Sequence, residues 1–156
     1  MTIENTQESI LHLSGEILRG DSEKLSKSLP KDINTHLFWE ISSIGGDLKE
    51  ASSMCIQIAS LYSTVTALEK VHSSAIMPYL AAAEKYAKKQ SIFYFHHLRN
   101  DEDQNEELLR EQEVSFIRYI DLQTRMGEKK IVDLMDNEAR VTAKEAITLG
   151  IVHEII

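Results

Sequence analysis

The run THLFWEISSIGGDLKEASSMCIQIASLY, residues 35–62, carries the change of period that decides the fold. Its first part, Thr35 to Ser42, reads as a strand. Gly45 and Gly46 then break the pattern, and Asp47 follows as an N-cap candidate with Glu50 three residues on, the spacing of a capping box. Leu48, Ala51, Met54, Cys55, Ile58, Ala59 and Tyr62 recur at helical spacing, so a helix over 47–62 is predicted directly behind the strand.

The same alternation extends outward in both directions. Upstream, ILHLSGEI at residues 10–17 alternates apolar and polar positions as a strand does, Arg19 and Gly20 turn the chain, and Asp21 caps a helix that ends by Pro30. Residues 1–9 are read as an N-terminal extension. Downstream, TVTALEKV (64–71) reads as a strand, AIMPYLAAAEKYAKK (75–89) as a helix, and SIFYFHH (91–97) as a buried strand. Residues 98–126 begin as a strongly charged stretch and acquire helical periodicity from about Glu106, which predicts a mobile loop leading into a helix. IVDLMDNEA (131–139) reads as a short helix. Thr142 and Glu145 form a second capping-box pattern opening the helix TAKEAITL, Gly150 supplies a left-handed stop, and IVHEII closes as an edge strand. Strands alternating with helices over residues 10–156 predict one α/β domain of repeated β-α-β units with a mainly parallel sheet.

Composition narrows the function classes. The 156 residues are 42% hydrophobic and 27% charged, enough to bury a core. Net charge is −8 with no cluster of Lys and Arg to track phosphates, which argues against nucleic acid as a partner. The first residues, MTIENTQESI, lack the basic start and apolar run of a signal peptide, and no run of about 18 apolar residues occurs, so a cytoplasmic protein without membrane contact is expected. Cys55 is the only cysteine, which leaves neither an internal disulfide nor a thiolate metal cage, and its place in the helical pattern points to packing.

In parallel α/β sheets, sites collect beyond the carboxyl ends of strands. Three such junctions carry chemistry here. Gly45-Gly46 leaves backbone N–H groups free of side-chain cover; His72-Ser73-Ser74-Ala75 opens a helix; His96-His97 ends an apolar strand. A hydroxyl, an imidazole and a glycine turn at one rim are the parts of a serine hydrolase. Consecutive strand residues face opposite sides, so His96 and His97 are not expected to share a metal ion, and no cofactor is expected.

Together, ISSIGGDLKEA (41–51), VHSSAIMPYLAAA (71–83), FYFHH (93–97) and VTAKEAITLGIVHEII (141–156) resemble the proteolytic subunit of the Clp protease, within the wider Clp protease and crotonase superfamily. The resemblance covers about residues 10–156. It implies a serine peptidase acting on peptides or unfolded proteins, with Ser74 as nucleophile, His96 as general base, and Gly46 and Ala75 as the backbone donors of the oxyanion hole. For the third triad member, the family's aspartate falls on Leu134, flanked by Asp133 and Asp136, of which Asp136 is preferred. Other departures are Ile44 before the glycine pair where the family has proline, His72 and Ser73 where it has small apolar residues, and Ile76 where it has glycine. The resemblance also implies a homo-oligomer, with a ring as a plausible form. Only about ten residues precede the first strand, where the family carries a longer gating segment, so dependence on a Clp ATPase is not expected. The charged HLRNDEDQNEELL stands where the family has its Gly-rich handle. An inactive scaffold of the same fold is the alternative reading, and an acyl-CoA-handling crotonase a more distant one, since this chain lacks the extra C-terminal helices of such enzymes.

Overall fold

Alternating burial along the strands builds the sheet. A computed structural model describes residues 1–5, 10–99 and 105–156. β1 (Thr2–Asn5) runs antiparallel to β2 (Leu11–Ile17), and β2 lies parallel to β3 (Leu37–Gly46), which lies parallel to β4 (Ser63–His72). Leu11, Leu13, Ile17, Trp39, Ile41, Val65 and Ala67 point into the core, while Phe38 and Ile44 on the other side of β3 are exposed. Helix α1 (Asp21–Ser28) returns the chain from β2 to β3, and α2 (Leu48–Ala59) returns it from β3 to β4, each a parallel crossover. Residues 2–5, expected to precede the domain as an extension, are therefore an edge strand of the sheet; TIEN is too short to show a strand period, and only the open edge of β2 makes it one.

The two helix starts predicted from capping boxes form, but differently, whereas α1 begins behind Gly20 with Asp21 as its first residue and no side-chain cap. The Asp47 carboxylate accepts the Glu50 N–H at 2.9 Å, whereas the Glu50 carboxylate takes the Ser22 N–H at 2.9 Å instead of reaching back. The Asp47 N–H is already donated to Ile17 O at 2.9 Å, so half the box is replaced by tertiary contacts. At Thr142 the reciprocal box is complete and opens α6 (Ala143–Thr148).

β4 divides between two partners. Its first half, Thr64 to Ala67, pairs with β5 (Glu84–Ala87), and its end, Lys70 to His72, pairs with β6 (Ile92–Tyr94). Between the halves the register with β3 slips, with Ile41 opposite Ala67 but Ser43 opposite Val71, so β4 carries two extra residues there. Buried Ser91 fills the break, its hydroxyl lying 2.8 Å from Ala67 O and 3.2 Å from Leu68 O. β6 is thereby carried away from β5 and pairs antiparallel with β7 (Arg140–Thr142), while β5 pairs with the closing edge strand β8 (Glu154–Ile155).

The helix expected over 75–89 is corrected. A 3-10 turn, Ser73–Ala75, leads into α3 (Ile76–Ala81), which stops where Ala82 becomes extended, and Glu84–Ala87 form β5. Ala, Glu and Lys favour helix, but pairing on both sides with β4 and β8 outweighs a propensity of at most about 0.7 kcal/mol per residue. The strand expected over 91–97 is regular only from Ile92 to Tyr94. Beyond it, α4 (Glu106–Thr124) packs on α3, and α5 (Glu128–Asp136) on α4. Residues 100–104, within the segment predicted to be mobile, lie outside the described residues. Tyr79, Phe93, Phe95 and Phe116 are buried between these helices and the sheet. Among the described residues no helix is long and apolar enough to cross a membrane.

Candidate active site

The carboxyl ends of β3, β4 and β6 meet at one rim, and each ends in residues with little room to vary. Gly45 (φ +82°) and Gly46 (φ +143°) close β3 in conformations that L side chains rarely adopt. A Cβ on Gly46 would stand 2.2 Å from Ile17 O, and one on Gly45 would stand 2.6 Å from His72 O and 2.9 Å from Ser73 Cβ. The glycine pair is thus pressed between β2 on one side and the end of β4 on the other. Buried Ser43 braces the turn from below, donating to Gly15 O at 2.6 Å and accepting the Gly45 N–H at 3.1 Å.

A cleft of about 850 Å³ opens over this rim, lined among others by Ile44, Gly45, Gly46, His72, Ser73 and His96. Ser74 is not among its lining residues. Only 1% exposed, its hydroxyl accepts the Gly46 N–H at 2.9 Å and donates to the Gly46 carbonyl at 3.0 Å. The structure therefore brings together two of the residues singled out from sequence, Ser74 and Gly46, but as a closed pair. Ala75 is fully buried in the turn behind them. Ser73 sits at the cleft wall with φ 53°, a left-handed backbone that is uncommon outside glycine and that costs about 1–3 kcal/mol where it is held.

His96 faces the same cleft. Its Nδ1 lies 2.6 Å from the His97 carbonyl oxygen, an acceptor only, so Nδ1 carries the proton and donates, leaving Nε2 as the basic nitrogen. His97, one residue on, turns the other way: Nδ1 meets Glu113 at 3.0 Å and Nε2 meets Asp136 at 2.6 Å. These carboxylates, Asp136 first, push the His97 pKa up. Asp136 consequently serves His97 rather than His96, the partner expected for it, because the alternation of the extended chain sends only His97 toward α4 and α5. Asp133, the other acid weighed for that role, is exposed on α5 and makes no side-chain hydrogen bond among the described residues, and Leu134 between them is buried.

Two residues of the cleft, Tyr94 and His72, had no role assigned from sequence, and Arg140 packs against one of them. Tyr94 lies two positions before His96, on the same face of the chain, and their rings stand 5.3 Å apart. His72, opposite Tyr94 in the register, sets its ring edge-on to Tyr94 at 5.5 Å, with its Nε2 buried and without a hydrogen-bond partner among the described residues. Burial, then the charges of Lys70, Arg140 and His96, lower the His72 pKa and favour its neutral form. The Arg140 guanidinium rests 5.3 Å from the Tyr94 ring centre, a cation-π contact from β7. Period-two spacing from His96 is the signal that finds Tyr94; His72 needs the β4–β6 register. Among the described residues no group of His, Cys, Asp and Glu could hold a metal ion.

Superposition on solved structures decides the fold. ClpP1 from Listeria monocytogenes matches with a TM-score of 0.83 at 24% identity, over 94% of this chain and 90% of that one. The chain has the ClpP1 fold. A ClpP1 N165D mutant from the same organism matches over the same shares with a TM-score of 0.83 at 22% identity. No family model and no curated protein matches the sequence. The single α/β domain with a mostly parallel sheet is the fold that the sequence resemblance implied.

Proposed function

We propose that the protein is a serine peptidase that cleaves peptides or unfolded segments at the β3, β4 and β6 rim, through an acyl-enzyme on the Ser73-Ser74 pair. The observation that carries this reading is His96: its Nδ1 proton is committed to the His97 carbonyl, and its ring lines the cleft shared by Ser73 and the Gly45-Gly46 turn. A general base needs that tautomer, with Nε2 free to take a hydroxyl proton. A backbone carbonyl replaces the acid of a full triad, which supports a slower enzyme than one with a carboxylate in that place. The ClpP1 fold of the scaffold agrees with peptidase chemistry, though fold does not fix function.

Peptide hydrolysis tests it. The purified protein is expected to cleave short fluorogenic peptides and unfolded casein without a Clp ATPase, and His96→Ala to lose this activity. Absence of turnover by the homo-oligomer in solution would favour the second reading, an inactive scaffold or assembly subunit of the same fold. That second reading draws on one observation, the closure of the Ser74 hydroxyl on both backbone groups of Gly46.

A further inference from the structure

Two adjacent serines occupy the junction of β4 and α3; both are buried, Ser73 at 8% exposure and Ser74 at 1%, but their hydroxyls differ in hydrogen bonding and in access to the cleft. The Ser74 hydroxyl has both its donor and an acceptor position filled by Gly46, at 3.0 Å and 2.9 Å, and the residue is 1% exposed. To attack a substrate it would have to abandon both bonds to the Gly46 backbone. Ser73 has none of these obligations. Its hydroxyl has no hydrogen-bond partner among the described residues, and its side chain lines the same cleft as His96.

The backbone explains how adjacent residues come to differ. A φ of 53° at Ser73 turns the chain abruptly between extended His72 (φ −108°) and the helical residues that follow. Its Cβ is set directly over Gly45, whose own missing Cβ would stand 2.9 Å away. A side chain at that position is therefore held at the glycine turn, while Ser74 is rotated beneath it. Non-glycine residues kept in left-handed conformations are retained where surrounding structure over-determines them, and such positions concentrate at active sites.

We infer that Ser73, not Ser74, supplies the attacking hydroxyl, and that Ser74 is a structural bracket for the Gly46 turn. This rests on the serine-peptidase reading and names its nucleophile. Ser73 Oγ forms a bond to the substrate carbonyl carbon as its proton passes to His96 Nε2; the C–N bond then breaks and the same proton leaves with the amine. Water, deprotonated by Nε2, adds to the ester carbon, the ester C–Oγ bond breaks, and the proton returns to Ser73 Oγ as the carboxylic product departs. The amide of the residue after the nucleophile is then that of Ser74, whose nitrogen a Cβ on Gly45 would approach to 3.1 Å.

A fluorophosphonate probe, with mass-spectrometric mapping of the adduct, tests the assignment on the whole protein. In that reaction the serine oxygen bonds to phosphorus, fluoride leaves, and the proton goes to the base. The adduct is expected on Ser73 in the wild type and in Ser74→Ala. Ser73→Ala and Ser73→Gly should each lower the labelling rate by at least about 1,000-fold. Ser73→Gly relieves the left-handed backbone, so its loss of labelling together with an unchanged circular dichroism spectrum separates chemistry from folding. An adduct on Ser74, or undiminished labelling of Ser73→Gly, overturns this inference and leaves the peptidase reading standing. A wild-type protein that takes up no probe on either serine overturns both.

Discussion

The Asp136 carboxylate accepts a hydrogen bond from His97 Nε2 at 2.6 Å while Glu113 meets the other nitrogen of the same ring at 3.0 Å, tying the end of β6 to both α4 and α5. Glu113 also accepts the Leu98 N–H at 2.9 Å. This is an ion-paired bracket around one imidazolium, and it has a pH dependence of definite sign. The pKa of His97 is raised by its partners above its ordinary value of 6.5. Its stabilising contribution is therefore complete below that value and is lost as pH rises through the higher folded-state pKa. Melting temperatures of wild type and His97→Gln should differ most below about pH 6 and converge on the alkaline side of neutrality. A gap that widens with rising pH would contradict the bracket.

The same contact separates Asp136 from catalysis. Asp136→Asn is expected to leave peptide hydrolysis within about threefold of wild type, against the loss of about 10⁴-fold that follows removal of a triad acid. His96→Ala should cost at least about 100-fold in kcat/KM. Steady-state kinetics of the two variants side by side decide the point, and comparable large losses would restore Asp136 to the site.

Gly46 and Gly15 offer a matched pair for the geometry of the rim. Both have positive φ, but a Cβ at Gly15 meets nothing within 4 Å, whereas at Gly46 it would stand 2.2 Å from Ile17 O. Gly15→Ala should cost about 1 kcal/mol from backbone strain alone. Gly46→Ala adds overpacking and should exceed that by about 1–3 kcal/mol. Urea unfolding of both, read at the midpoint, gives the difference; equal losses would mean that β2 yields to the new methyl.

Lys85 gives a stability test away from the site. It is buried in β5, its ammonium donates to Ala82 O at 3.0 Å, and burial lowers its pKa. Lys85→Met keeps the stem and removes a poorly solvated charge, so its stability at neutral pH should equal or exceed that of wild type. Because the folded pKa is depressed, the wild type binds fewer protons folded than unfolded and should gain stability as pH rises toward the ordinary lysine range, closing on the variant. A variant markedly less stable than wild type would show that the ammonium is better satisfied than its single carbonyl contact indicates.

Local structure follows from the sequence wherever a periodic pattern stands next to a specific terminator. Residues 35–62 declared a strand, a glycine turn and a capped helix, and 141–150 declared a helix with a reciprocal capping box and a glycine stop; such signals act over a few residues and are complete in the sequence. Pairing is different, because a strand's partner is a distant segment. Glu84–Ala87 look helical by composition and become a strand only because β4 and β8 flank them, and Thr2–Asn5 become one only because β2 offers an open edge.

For the site, the sequence by itself determined the inventory: a hydroxyl pair, an imidazole pair and a glycine pair, each at the end of a strand. Only the tertiary structure decided which serine and which histidine face the cleft. Rotation by one residue exchanges the two sides of an extended chain, so Asp136 fell to His97 and left His96 with a backbone carbonyl. The left-handed turn at Ser73 likewise placed one serine at the cleft and folded its neighbour onto Gly46.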